Sequence, residues 1–247
     1  MISARSEDLP AGPSKYVLVA CLPKSGSTWL SKMLAAQLNY GYGTLRSSPG
    51  QVEQDFYEPE LIDHYGSGYV IHQHLKAASH NLELVEKYKV RPLVLTRNIY
   101  DIIISFHDHL HRESYQYWFM IFPDQNYFQL DKEAQLDMVI DFLTPWVVNF
   151  VVTWERNKNT DKQLWLTYES LVADPEKVYR EIHDFLGSGI PDHKLHESLA
   201  TSSGRDDMRF NRGVVGRGQH DLSEAQMERI RTFTRYFPNI DFSSIGL

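Results

Sequence analysis

The sequence predicts an α/β domain: a P-loop-like parallel β-sheet of about four or five strands with helices on both faces. Three observations carry this. Residues 16–22, 69–71, 92–96 and 163–167 are apolar runs of strand length. Segments with apolar residues at helical spacing stand between them, the order that builds a parallel sheet covered on both sides. The first run also opens through a turn of small residues directly into a helix.

Taken in order, residues 16–22 are rich in β-branched residues, and Pro23 ends them. Lys24-Ser25-Gly26-Ser27-Thr28 follows as a turn, after which Leu30, Met33, Leu34 and Leu38 recur at helical spacing. A helix N-terminus presents free N–H groups and the positive end of its dipole. Gly26 lets backbone come close to a phosphate and Lys24 adds a full charge, so the turn reads as an anion site. The competing reading is an ordinary βα turn with a solvated lysine. The nucleotide P-loop GxxxxGK[ST] places its lysine after the glycines, whereas Lys24 precedes Gly26.

Residues 40–51 read as loop, with a short strand near 42–45. The strand at 69–71 leads into His72-Gln73-His74, and residues 79–89 form a helix. The strand at 92–96 ends in Arg97-Asn98, and an apolar helix runs from Asp101 through Ser105 to His111. Tyr115, Tyr117, Trp118, Phe119 and Phe122 lie in an aromatic stretch, 113–130, that reads either as a wall of an apolar pocket or dimer contact, or as loop packed on the core. Leu136 to Leu143 keep helical spacing until Thr144-Pro145, which reads as an N-cap and first-turn proline restarting a second helix. The strand at 163–167 leads into Tyr168-Glu169. Asp174-Pro175 starts a helix that Gly187 stops, and Ser223 with Gln226 fits a capping box for a last helix.

The chain has 247 residues, enough for one large domain, and no repeat or linker divides it. Residues 1–14 read as a flexible N-terminal tail and 15–247 as a single α/β domain. With a net charge of −7, binding of nucleic acid and of anionic membranes is not expected, and any polyanion site must be a local basic cluster. Cys21, the only cysteine, lies in the first strand, which rules out an intramolecular disulfide and a CxxC site. The first residues do not resemble a signal peptide and no apolar run approaches the roughly 18 residues of a membrane span, so a cytoplasmic location is expected.

Ligands of such sheets bind beyond the carboxyl ends of the strands. Those ends offer Lys24 to Thr28, His72 to His74, Arg97-Asn98 and Tyr168-Glu169. A phosphoryl-transfer enzyme wants a strand-end carboxylate for magnesium, and only Glu169 is near one. Arg205, Arg209, Arg212 and Arg217, among glycines at 204–218, have the composition of a phosphate clamp or of a solvated basic loop. Of His107, His109 and His111 only the first and last share a helix face, and no third ligand completes a metal site. His107 fits a substrate pocket better.

These residues resemble the sulfotransferase superfamily, which uses 3′-phosphoadenosine 5′-phosphosulfate. Pro23-Lys24-Ser25-Gly26-Ser27-Thr28-Trp29 is similar to its phosphosulfate loop, PKSGTTW, with Ser27 departing. Arg97-Asn98-Ile99-Tyr100-Asp101 with Ser105 resembles its 3′-phosphate motif, with Ile99 where proline is usual. His74-Leu75 matches the place of the catalytic histidine in cytosolic members. Tyr168-Glu169 resembles a YED-type segment, and Asn211-Arg212-Gly213-Val214-Val215-Gly216 a RKGxxG loop with Asn211 in place of arginine.

The resemblance implies that Lys24 and the amides of Ser25, Gly26, Ser27 and Thr28 hold the 5′-phosphosulfate, with Lys24 taking part in transfer. It implies that Trp29 stacks on adenine, that Arg97 and Ser105 bind the 3′-phosphate, and that Tyr168, Arg212 and Gly213 complete the cofactor site. His74 would take the proton of a hydroxyl or amine on a small-molecule acceptor, leaving adenosine 3′,5′-bisphosphate, with no metal required. His107, Tyr117 and Trp118 are the acceptor-binding candidates. A second adenine-stacking aromatic has no counterpart in Ser202-Ser203-Gly204, and His72, Glu53, Glu58 or Glu60 offer other bases. A P-loop kinase for small molecules or nucleosides using ATP and magnesium, and a non-catalytic nucleotide-binding relative, remain as alternatives.

Overall fold

The computed structural model describes residues 15–47, 53–112, 126–202 and 214–247. Its sheet has five parallel strands: β1 (Tyr16–Cys21), β2 (Gly41–Gly43), β3 (Tyr69–Gln73), β4 (Arg91–Thr96) and β5 (Leu164–Thr167). They lie side by side in the order β2-β3-β1-β4-β5, so β1 is central. β1 pairs with β3 from Tyr16 opposite Tyr69 and with β4 from Val17 opposite Arg91. The expectation of a parallel sheet of about this size holds, and the short strand expected near 42–45 is found as β2, Gly41–Gly43.

β1 is buried along its whole length and its alternate residues serve two cores. Leu18 and Ala20 face a layer that includes α4 (Ile99–Arg112) and α5 (Lys132–Arg156). Val17, Val19 and Cys21 face α1 (Ser27–Leu38) and α7 (Pro175–Leu186) on the other side. Helices on both faces explain why β1 reads as an unbroken apolar run.

Local chemistry sets the helix starts. Asn98 Oδ1 accepts the Tyr100 and Asp101 amides at 3.0 and 3.4 Å, opening α4. Asp174 caps α7 ahead of Pro175, and Gly187 ends it in the left-handed conformation. The expected capping box is formed: Ser223 and Gln226 bond reciprocally at the start of α10 (Glu224–Thr232).

Two expectations are corrected. Thr144-Pro145 does not restart a helix, because α5 runs unbroken for 25 residues with Pro145 inside it. Proline removes the bond to the carbonyl of Asp141, an exposed residue whose freed oxygen can turn to water, while buried Leu143, Thr144, Trp146 and Val147 hold both sides in place. The joined helix also contains an 18-residue window of mean hydropathy 1.5, long and apolar enough to span a membrane by composition; 61% of that window is buried in the core.

Helices α2 (Glu58–Asp63), α3 (Ser79–Lys87), α6 (Tyr168–Ala173), α8 (Asp192–Ser202) and α9 (Arg217–Asp221) complete the described α-helices. Of these, α3 matches the expected helix, while α2, α8 and α9 carried no signal strong enough to read. α2 and α9 are only one to two turns long, and α8 shows a thin apolar stripe whose Leu195 is fully buried against α1 and α7.

Candidate functional site

The strand ends converge as expected, and strand order fixes their sequence in space. Going across the sheet stand Arg46 after β2, His74 after β3, Lys24 after β1, Arg97 after β4 and Tyr168 after β5.

The β1–α1 turn is held from within. Lys24 and Gly26 both have positive φ, 61° and 78°. At Gly26 a side chain would meet the Tyr168 ring at 2.9 Å, so glycine is required by both conformation and contact. The Ser25 hydroxyl donates to the Leu22 carbonyl at 2.6 Å, which leaves its amide as its contribution to an anion. α1 starts with no side-chain cap and no acidic residue in its first turn, so its first N–H groups are not answered by a side-chain cap or carboxylate.

Arg97 joins this turn to the next strand end. It is only 6% exposed, donates from Nη1 to the Lys24 carbonyl at 2.7 Å and from Nη2 to the Val214 carbonyl at 3.3 Å, and lies over the Tyr168 ring at 4.2 Å. Its Nε is buried with no partner among the described residues. Ser105, also buried, lies on α4 two turns beyond Arg97, with Asp101 between them.

Asp101 was quoted in the motif but given no role, and it proves central. Its carboxylate is 1% exposed, accepts the Gly216 and Gly218 amides at 2.8 and 2.7 Å, and lies 3.7 Å from Arg97 Nη2. It thereby fixes the start of α9 and the residues just after the glycine-rich segment against the arginine. The available signal was its spacing, four residues after Arg97 at a helix start. Glu169, the only strand-end carboxylate, accepts the Asn98 amide at 2.9 Å and so braces the same turn.

His74 lies just beyond β3. Its Nδ1 is 2.9 Å from the Cys21 carbonyl, which can only accept, so Nδ1 carries the proton and Nε2 is the basic nitrogen of the neutral ring. Its backbone N–H donates to Gln54 Oε1 at 2.8 Å. Burial pushes its pKa down to about 4, against the Cys21 bond, with the charges of Arg46 and Lys24 pushing the same way as burial. His72 is tied at both nitrogens, Nε2 to Ser27 Oγ at 2.9 Å and Nδ1 to the Tyr42 hydroxyl at 3.3 Å. Its pKa falls to about 3 through burial, with His74 and Arg46 contributing. Cys21, beneath His74, is buried and its thiol is pushed up to about 12, an inert group at neutral pH.

The other candidates are sorted by their partners. Glu58 is held by Lys87 and Tyr88, and Glu53 pairs with Lys76 at 2.9 Å. Glu60 lies on α2 beside His64. His107, expected in a substrate pocket, is instead 8% exposed and tied to Gln135 Oε1 on α5 at 2.9 Å, an oxygen it shares with His111. Its role is to join α4 to α5, a tertiary pairing that sequence spacing cannot show. Trp29 is 7% exposed and its ring stands at 89° to that of Tyr179 in the α1–α7 core. Arg217 is bound to Asp108 at 2.8 Å. Tyr117, Trp118, Arg205, Arg209, Arg212 and Gly213, with the tail 1–14, lie outside the described residues. Among the described residues no group of three His, Cys, Asp or Glu side chains is placed to hold a metal. A separate cavity of about 510 Å³ between Tyr100, Arg231 and Leu247 lies toward the C-terminus.

Comparisons with known proteins bear on this site. A model of the sulfotransferase domain matches residues 14–237. Sulfotransferase 1A1 of Rattus norvegicus is 23% identical over 191 residues, 72% of this chain and 62% of that protein. Sulfotransferase 1E1 of Bos taurus is 24% identical over 212 residues, 80% of this chain and 67% of its own length. The chain therefore spans roughly two thirds of the length of these curated relatives. Among solved structures, mouse sulfotransferase SULT7A1 complexed with PAP superimposes with a TM-score of 0.69 at 16% identity, covering 96% of this chain and 87% of that one. Retinol dehydratase in complex with androsterone and inactive cofactor PAP gives a TM-score of 0.57 at 16% identity, covering 95% and 83%. At these identities the structural matches establish a common fold.

Proposed function

The chain belongs to the sulfotransferase domain family, and from that premise we propose that it moves a sulfuryl group from 3′-phosphoadenosine 5′-phosphosulfate to a hydroxyl of a small-molecule acceptor, with His74 as general base. An amine is the second acceptor class. The observation that supports this reading is the 2.7 Å bond from Arg97 to the Lys24 carbonyl, which ties together two adjacent strand ends that each carry a cationic residue. A ligand with two separated phosphates suits that pair better than one continuous triphosphate.

The residues fit the donor. The N–H groups that open α1 carry no side-chain cap, Lys24 stands in the turn just before them, and buried Arg97 has an Nε with no partner among the described residues. When bound, the donor supplies the activated sulfuryl group. Lys24 and the amides of residues 25–28 would stabilise negative charge growing on the departing phosphate oxygen. Arg97 and Ser105 would hold the 3′-phosphate, and Tyr168 keeps the arginine flat against the turn. Trp29 would stack on adenine, and Arg212 with Gly213 would complete the cofactor site.

His74 Nε2 would take the acceptor proton while Nδ1–H keeps the ring aimed through the Cys21 carbonyl. A base pushed to about 4 is weak, and an anion bound beside it would raise its affinity for the proton during reaction. No metal enters this scheme. The acceptor in this proposal is a small molecule, the class to which the androsterone named with retinol dehydratase belongs, and Tyr117 and Trp118 remain its candidate contacts. A cytoplasmic location is part of the same proposal, with no nucleic-acid or membrane partner.

Calorimetric titration with adenosine 3′,5′-bisphosphate and with ATP plus magnesium tests the reading. Binding of the bisphosphate at least tenfold tighter than ATP is expected; preference for ATP with magnesium would overturn it in favour of a kinase.

A further inference from the structure

Arg46 has no place in the scheme above and did not stand out in the sequence. It follows Leu45, which is pinned beside the end of β3: the Leu45 amide donates to Gln73 Oε1 at 3.0 Å and its carbonyl accepts from the Tyr57 amide at 3.0 Å. Gln73 immediately precedes His74, and Gln54, eight residues past Arg46, binds the His74 amide. The backbone just before Arg46 is therefore anchored to the strand end that carries His74.

The side chain is half-buried and its Nε is fully buried with no hydrogen-bond partner among the described residues. No described carboxylate pairs with it. Glu53, in the same connection, is taken by Lys76. Burial lowers the pKa of the guanidinium, and its charge is felt at both His72 and His74. A partly desolvated cation with no counter-ion is costly unless a ligand supplies the anion.

Strand order says which ligand. The donor would lie between Lys24 after β1 and Arg97 after β4. His74 lies after β3, on the far side of Lys24 from Arg97, and Arg46 follows β2 at the sheet edge, farther still. The donor phosphates are thus accounted for on one side of the base, and Arg46 stands on the other, where the acceptor must approach.

We propose that Arg46 forms an anion subsite on the acceptor side of His74, so that the preferred acceptor is a small molecule bearing a carboxylate as well as the hydroxyl presented to His74. This rests on the sulfotransferase reading of the site. The planar guanidinium fork matches a carboxylate through paired N–H bonds, a geometry that a lysine in its place would not reproduce. Recognition at Arg46 orients the acceptor hydroxyl toward Nε2 without adding charge to the donor subsite.

The test uses the full chain saturated with adenosine 3′,5′-bisphosphate and, as probes, 4-hydroxyphenylacetate and its methyl ester, with binding followed by calorimetry. The wild type is expected to bind the acid at least tenfold tighter than the ester. Arg46→Gln should erase that preference while leaving bisphosphate affinity within twofold, and Arg46→Lys should retain part of the preference, which separates loss of charge from loss of fold. Equal binding of acid and ester by the wild type, or binding of neither, overturns the proposal. So does a tenfold loss of bisphosphate affinity in Arg46→Gln, which would assign the arginine to the donor. Failure of the wild type to bind bisphosphate at all would instead reject the sulfotransferase reading itself.

Discussion

Asp101→Asn probes how the two phosphate-side elements are held together. The native carboxylate accepts two backbone N–H groups, from Gly216 and Gly218, and lies 3.7 Å from the Arg97 guanidinium while almost wholly buried. A carboxamide has one acceptor oxygen, so one glycine amide would face an NH2 group, and Arg97 would lose its buried counter-charge. Losing one charge-assisted hydrogen bond costs about 1.5–3 kcal/mol, and breaking a buried ion pair about 3–5 kcal/mol. The pair here, at 3.7 Å, is longer than a direct hydrogen bond and contributes less than that range, so the two losses together come to at least about 3 kcal/mol. Urea unfolding at pH 7.5 should show that loss as a lower midpoint at unchanged slope. The exposed Asp161→Asn serves as control and should change stability by less than about 0.5 kcal/mol. Bisphosphate affinity should also fall at least tenfold, since Arg97 would no longer be fixed. A stability change no larger than the control's would refute the view that Asp101 is the anchor of α9.

Other outcomes follow from the same geometry. Gly218→Ala would place a methyl 2.2 Å from the Tyr100 carbonyl carbon, a backbone clash, and should cost about 3 kcal/mol or more in thermal unfolding. Gly216→Ala meets no atom within 4 Å and carries only the left-handed φ of 87°, so about 1 kcal/mol is expected; equal losses would contradict the contact argument. His72 and His74 have folded pKa values near 3 and 4, below the unfolded value, so the unfolded chain binds more protons as pH falls from 6.5. Stability should therefore drop between pH 6.5 and 4, by about 2 kcal/mol per histidine at pH 5, and His72→Gln should flatten that slope. An unchanged slope in the variant would mean that His72 is not held neutral. His74→Gln should lower sulfuryl transfer at least 100-fold with bisphosphate binding nearly unchanged; full turnover would assign the base elsewhere.

Much of this protein is written locally. β1 and the turn after it could be read because apolar β-branched residues, Gly26 and the start of α1 are consecutive in the chain, and each states its preference without help from distant residues. The caps at Asp174 and Ser223 are legible for the same reason. Arg97 and His74 could be nominated because strand ends in a parallel sheet are where ligands bind.

Local reading failed where contacts between distant segments decide. Thr144-Pro145 has the chemistry of a helix start, yet buried neighbours on both sides carry α5 straight through it. His107 looked available for substrate because Gln135, its partner, is 28 residues away. His72 stood beside His74 as an alternative base, and the partners that separate them lie elsewhere in the chain: Ser27 and Tyr42 tie His72 at both nitrogens, and Cys21 fixes the His74 tautomer. Arg46 was one arginine among others until strand order set it beyond the base with no described counter-ion. The sequence by itself determined the strands, the glycine turn after β1 and the residue types at the strand ends, since backbone preference and amphipathic spacing act over a few residues. Only the tertiary structure decided which of those side chains are spent on one another and which are left for a ligand, since hydrogen bonding and desolvation depend on what packs alongside.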